Sequence, residues 1–147
     1  MDPTPDQKGT ISETVIVHAA AKAGIGVLRP VSGGLRYDLV FDLGSRLLRI
    51  QCKTATRRGD VLSIPFYSTR RRIDGFSKHV YKMDEVDAIA AYSPDLERCY
   101  LIPPDRFAGR SCIQLRVAAT RNNQQRGIHW ATDYDFEALD WTRIAGP

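Results

Sequence analysis

Residues 36–55 alternate in polarity on both sides of a glycine-serine pair, reading RYDLVFDLGSRLLRIQCKTA. A period of two is the side-chain period of a β-strand, so each arm reads as a strand. Gly44-Ser45 suits a two-residue hairpin loop of type II′. With that loop, Leu43 faces Arg46, Phe41 faces Leu48 and Leu39 faces Ile50, which makes one mostly apolar face. The other face pairs Asp42 with Leu47, Val40 with Arg49 and Asp38 with Gln51, and Lys53 projects to the same side. Opposed side chains on paired strands have Cβ atoms about 4.5–5.5 Å apart. A carboxylate, an amide and an amine therefore come within reach of one small ion or phosphate. A slip of one residue in register would disperse them.

The remaining chain supplies what packs around this hairpin. Residues 1–8 hold two prolines and read as a flexible tail, with one domain over 9–147. Thr10-Ile11-Ser12-Glu13 fits a capping box, which predicts a helix opening there, with Ile11, Val15, His18 and Ala19 on its apolar side and Gly24 as its stop. Strands are predicted at 25–28, 61–67 and 112–117, and a second hairpin joins 86–92 to 98–102. Residues 57–60 read as a turn and 68–83 as a basic, polar loop. A short helix is predicted over 105–108, a polar loop over 120–127 and a terminal helix over 133–141. The order of elements implies a mixed α/β domain around one largely antiparallel sheet.

The chain has 147 residues, 43% of them hydrophobic and 26% charged, the profile of an ordinary globular protein. No apolar run approaches the ~18 residues of a membrane span, and the first residues do not resemble a signal peptide. The expectation is a cytoplasmic protein. Three cysteines, Cys52, Cys99 and Cys112, are too scattered for a disulfide framework or a zinc site and read as small hydrophobes. His18, His79 and His129 are isolated, and their spacing gives no metal site. The net charge of +4 hints at a polyanionic partner. Its distribution says more. Arg57-Arg58 and Arg70-Arg71-Arg72 are clustered, and Lys78 and Lys82 follow among aromatic residues, a mixture suited to phosphate contact and stacking or to a plain charged loop. Arg121 and Asn123 lie in a loop of residue types that read base edges, or that simply make a polar loop.

Asp38, Gln51 and Lys53 form the pattern D-x12-Q-x-K. This resembles the PD-(D/E)XK nuclease superfamily, and within it the branch similar to group I intron homing endonucleases, in which Gln replaces the second acid. Lys8-Gly9, Glu13, residues 24–30, Arg36-Tyr37-Asp38-Leu39-Val40 and Ile50-Gln51-Cys52-Lys53-Thr54 carry the resemblance, with Tyr92-Ser93-Pro94 and residues 100–103 beyond them. It covers residues 8–103 closely. Two departures from the wider superfamily stand out: Tyr37 precedes Asp38 where a proline is usual, and Gln51 removes one negative charge from the site.

The resemblance implies a restriction-endonuclease-like core and a Mg²⁺-dependent DNA endonuclease, with Mn²⁺ as a substitute. Asp38, Gln51 and the Cys52 carbonyl would hold the metal; Lys53 and Glu13 would complete the catalytic set. Hydrolysis of a phosphodiester needs such residues, because Mg²⁺ takes oxygen ligands and water must be made nucleophilic. Glu13 equally fits a helix cap, and Asp38 with Gln51 equally fits a polar cross-strand pair. Asp42, nearer the turn, reads as solvated surface. One domain presents one active centre, so a double-strand cut implies a homodimer or homotetramer. The rival readings are a Holliday-junction resolvase and a non-catalytic DNA-binding module that keeps the fold.

Overall fold

The Gly44-Ser45 turn closes as its residues require. Gly44 has φ of 87°, a left-handed value that glycine adopts without steric cost. The Leu43 N–H donates to the Arg46 carbonyl at 2.9 Å, and Asp42 Oδ1 accepts the Gly44 N–H at 2.8 Å. These contacts come from a computed structural model that describes residues 1–72, 75–80 and 85–147, with backbone alone for 68–72 and 75–80. Strands β2 (Leu39–Asp42) and β3 (Leu47–Thr54) pair in the register expected from the alternation: Leu39 with Ile50, Val40 with Arg49, Phe41 with Leu48, Asp42 with Leu47.

This hairpin is the middle of a five-stranded sheet ordered β1-β2-β3-β8-β9, where β1 is Gly26–Leu28, β8 Ala88–Ser93 and β9 Arg98–Ile102. Only β3 and β8 run parallel; the other neighbours are antiparallel. The fold class is the expected α/β one, a mixed and largely antiparallel sheet. Each strand's alternation divides it between two cores. Leu39, Phe41, Leu48, Ile50, Ala88, Ala90 and Leu101 pack under helix α1 (Pro5–Lys22), through Ile16 and Ala20. On the reverse face Ile89, Ala91, Tyr100 and Ile102 meet a second sheet, ordered β10-β5-β4. Its strands are β4 (Thr56–Arg58), β5 (Val61–Pro65) and β10 (Cys112–Arg116).

Helix α1 starts earlier than the sequence pattern suggested. Its capping box is Thr4 with Gln7, so Pro5 to Lys8 form its first turn. Thr10 is interior, and its hydroxyl donates to the Asp6 carbonyl at 3.1 Å. Glu13 is therefore no cap. The buried stripe is Ser12, Ile16 and Ala20, while Ile11 and His18 are exposed. Val15 and Ala19 do pack against the core as expected, but the centre of the buried face is shifted by a residue because a polar residue, Ser12, is buried by sharing a hydrogen bond of 2.6 Å with Thr54 on β3. At the other end the helix stops as predicted. Ile25 N–H donates to the Ala20 carbonyl and Gly24 N–H to that of Ala21, each at 3.0 Å, with Gly24 at φ 80°. This is a Schellman closure.

Three further expectations change. Residues 57–60 are not all turn: β4 includes Arg57 and Arg58 and pairs with β5. The stretch read as a basic loop contains β6 (Tyr67–Arg72) and β7 (Gly75–Val80), an antiparallel pair that forms its own two-stranded sheet. Residues 133–141 are not a helix. Phe136 N–H donates to the Cys99 carbonyl at 2.9 Å and Leu101 N–H to that of Tyr134 at 2.8 Å, so the chain bridges β9 at Asp135, between a 3-10 turn before it and a turn over residues 136–138. Tyr134 then enters one core and Phe136 the other. The terminal helix α2 is shorter and later, Trp141–Ala145. The 3-10 turns Pro104–Phe107 and Ala131–Asp133 complete the chain.

Candidate active site

β3 is longer than β2, and the overhang makes the site. Within β3, the Arg49 carbonyl accepts the Asp87 N–H beside β8. Backbone direction alternates along a strand, so Ile50 and Cys52 turn their amides and carbonyls to the β2 side. There β2 gives out. Asp38, one residue before it, donates its N–H to the Ile50 carbonyl at 2.8 Å. Its carboxylate then takes the place of the missing ladder partner: Asp38 Oδ2 accepts the Cys52 N–H at 2.9 Å and Gln51 Nε2–H at 2.9 Å. The Cys52 carbonyl lies on that same side.

Lys53 follows two residues after Gln51 and is half-buried. Its Nζ donates to the Tyr67 carbonyl at 2.7 Å, which ties the amine to the first residue of β6. Burial lowers its pKa from the ordinary lysine value; Asp38 opposes that shift and Arg36 adds to it. Burial raises the Asp38 carboxyl above the ordinary range, the Cys52 N–H works against that, and the charge of Glu13 raises it further. Each shift reports a site short of solvent. Arg36 forms an ion pair with Glu85 at 3.5 Å. Glu13, on α1, is in an ion pair with Arg29 at the end of β1.

The structure thus brings Asp38, Gln51, Cys52 and Lys53 together, with Glu13 close enough for its charge to reach Asp38. Sequence reasoning missed three partners. Arg29 and Arg36 were visible only as scattered basic residues, and the Tyr67 carbonyl has no side-chain signal at all. Arg57 and Arg58 stand exposed on β4. Arg70, Arg71 and Arg72 are on β6 and Lys78 on β7; Lys82 lies outside the described residues. Arg121 and Asn123 are exposed in the loop after β10, and among the described residues no hydrogen bond or ion pair joins their side chains to the Asp38 group. Asp42 is exposed and caps the turn. All three cysteines are free thiols; Cys99 is buried, and burial pushes it up to about 12. Among the described residues no helix is long and apolar enough to cross a membrane.

A carboxylate just before β2 thus meets an amide, a backbone carbonyl and an amine on the overhang of β3. The chain belongs to the PD-(D/E)XK endonuclease family, whose sequence model matches residues 4–137. Among solved structures it is similar to a bacterial homing endonuclease, I-Ssp6803I, with a TM-score of 0.76 and 29% identity over 97% of this chain and 94% of that one. No curated protein sequence matches it. Members of the family generally use divalent metal ions. Among the described residues no three His, Cys, Asp or Glu side chains gather as a metal cluster. The donor set at Asp38 still fits an oxygen-seeking cation. Asp38 Oδ1 accepts no hydrogen bond among the described residues, Gln51 turns its amide nitrogen to Asp38 and so keeps its oxygen available, and the raised Asp38 pKa marks a place where added positive charge is favourable.

Proposed function

We propose that this protein is a Mg²⁺-dependent DNA endonuclease, similar in action to homing endonucleases, with Mn²⁺ able to substitute. The observation that carries the reading is the Asp38–Gln51–Cys52 hydrogen-bonded group with Lys53 anchored beside it. Bound Mg²⁺ supplies Lewis-acid polarisation of a phosphate oxygen and makes water easier to deprotonate. Asp38, the Gln51 amide oxygen and the Cys52 carbonyl are the residues that hold it. Asp38 brings the one formal charge among these three, and the two hydrogen bonds on its Oδ2 fix its rotamer. Lys53, held by the Tyr67 carbonyl, orients the attacking water and offers an N–H to charge developing on the phosphoryl oxygens. Glu13, steered by Arg29, orients water from the helix side.

Arg57 and Arg58 on β4, Arg70 to Arg72 on β6, and Lys78 are assigned to the DNA backbone, with Lys82, Arg121 and Asn123 as further contacts. A charge of +4 supports such a partner. One chain carries one such site, so a double-strand cut takes two copies, as a homodimer or homotetramer working in the cytoplasm.

The test is cleavage of supercoiled plasmid and of a four-way junction in Mg²⁺ or Mn²⁺. The wild type is expected to cut plasmid, and Asp38→Ala and Lys53→Ala to lose about 10²-fold or more in rate. Preference for the junction replaces the homing-type reading with a resolvase. DNA binding without cutting in either metal, on a substrate that includes a recognised target, reduces the protein to a binding module.

A further inference from the structure

Helix α1 carries a glycine in its second turn, and the fold gives no reason for it. Gly9 is costly in a helix relative to alanine. Among the described residues, a Cβ placed on it meets no atom within 4 Å. What Gly9 does line is a cleft of about 480 Å³, together with Lys8, Ser12, Lys53, Thr54 and Thr56. A second cleft of about 350 Å³ shares Lys8, Ser12, Thr54 and Thr56 and extends to Arg57 and Asp95. The shared residues make the two clefts one track, which starts at Lys53 and runs out between α1 and β4. Its floor is the hydroxyl pair of Ser12 and Thr54. Lys8 and Arg57 are exposed along it. Arg57 fixes its stem by donating Nε–H to the Gly59 carbonyl at 2.8 Å, and its Nη groups take no hydrogen bond among the described residues.

We propose that this track binds the sugar–phosphate backbone of one DNA strand beside the position that is cut. Lys8 and Arg57 contact its phosphates, and the bare backbone at Gly9 lets the strand lie against α1. Asp95 in the outer cleft repels an anion, so the bound stretch ends at Arg57. The inference rests on the nuclease reading above and adds to it a path for the substrate that uses Lys8, Gly9, Thr54 and Thr56. Hydroxyls, two cations and a glycine permitting close approach are the ordinary equipment for holding a phosphate chain without reading its sequence.

The fold and the ligand make opposite demands on residue 9, and the experiment uses that. Binding of a labelled duplex of arbitrary sequence is measured in Ca²⁺ across a salt series, beside thermal melting, for wild type, Gly9→Ala and Lys8→Gln. Gly9→Ala is expected to raise Tm by about 1–3 °C while weakening binding several-fold. Lys8→Gln is expected to leave Tm unchanged and to lower the slope of log affinity against log salt by about 0.9. A wild type that binds the duplex while both variants bind it equally well overturns the track and leaves the nuclease reading standing. A Gly9→Ala protein with a lower Tm overturns it as well, because the glycine then serves the fold. A wild type that binds no duplex overturns both readings together.

Discussion

Two hairpins in this protein have the same local topology and opposite sequence logic. β2–β3 places Leu39, Phe41, Leu48 and Ile50 on one face, all buried, and the polar residues of the candidate site on the other. β6–β7, by contrast, pairs Ser68 with His79, Thr69 with Lys78 and Arg70 with Ser77. In its sequence one face mixes Tyr67, Phe76 and Val80 with Thr69, Arg71 and Lys78, and the other has no apolar residue larger than glycine, so neither is a continuous apolar face. The first hairpin has its register fixed by burial, because a slip of one residue would turn its apolar set to solvent. The second forms a separate two-stranded sheet. The difference suits the two tasks proposed for them. Metal chemistry needs donors held to within a fraction of an ångström, which a packed strand supplies. Contact with a phosphate backbone needs charge more than exact placement.

The largest expected effect breaks the packed hairpin. Phe41 is fully buried and meets Phe136 and Trp141 edge-on, with ring centroids 6.3 and 6.4 Å away. Phe41→Ala is expected to cost about 3–5 kcal/mol in urea unfolding. The equivalent assault on β6–β7, Arg70, Arg71 and Arg72 all changed to Ala, is expected to leave stability within about 0.5 kcal/mol. On the proposed function, its effect falls on DNA instead. Duplex affinity should fall about 10- to 100-fold, equivalent to about 1.4–2.8 kcal/mol, with a shallower salt dependence in the same titration. A triple variant that unfolds early, or binds undiminished, would remove the functional half of the contrast.

The contrast also explains what could be read before the structure was known. The β2–β3 register and the β8–β9 hairpin were legible because alternation and a turn signal agreed. The grouping of Asp38, Gln51 and Lys53 followed from that register alone. β6–β7 was illegible because its residues show no apolar period, and a ladder held by backbone hydrogen bonds leaves no trace in side-chain pattern. The phase of α1 was missed by a residue because Ser12, a polar residue, is buried through Thr54 rather than through hydrophobicity. Residues 133–141 have aromatics at spacings that fit a helix, but Tyr134, Asp135 and Phe136 are buried in succession beside β9, with Tyr134 and Phe136 in different cores, which matches neither a helical nor a strand period. The Lys53 anchor was beyond reach for a simpler reason: its acceptor is a backbone carbonyl that the chain brings back from residue 67.

A smaller effect tests the turn that fixes the first hairpin. At φ 87° Gly44 has open space for a Cβ, so the cost of a side chain there is backbone strain alone. Gly44→Ala is expected to destabilise by about 1 kcal/mol. Gly44→Asn should recover part of it, since Asn tolerates left-handed backbone. Chemical denaturation of the pair measures both. Equal losses in the two variants would mean that the turn does not hold this conformation in solution.

The smallest expected effect has the opposite sign and concerns the polar face itself. The Asp38 carboxyl has a higher pKa folded than unfolded, because burial outweighs the Cys52 N–H and Lys53. The folded state therefore holds that proton more tightly. As pH rises from the ordinary aspartate value through the raised one, Asp38 takes stability away, and the cost persists at neutral pH. Asp38→Asn removes the charge and keeps an oxygen to accept from Gln51 and Cys52. It is expected to abolish cleavage while raising Tm by up to about 3 °C at pH 7. The gap between variant and wild type should close below pH 3.8, where the ordinary aspartate is itself protonated. Melting both proteins from pH 3 to pH 8 decides the matter. A variant less stable than wild type at pH 7 would show that the charge of Asp38 supports the fold. The site would then be a structural polar pair that makes no demand on stability, and the division of labour between the two faces of β3 would fail.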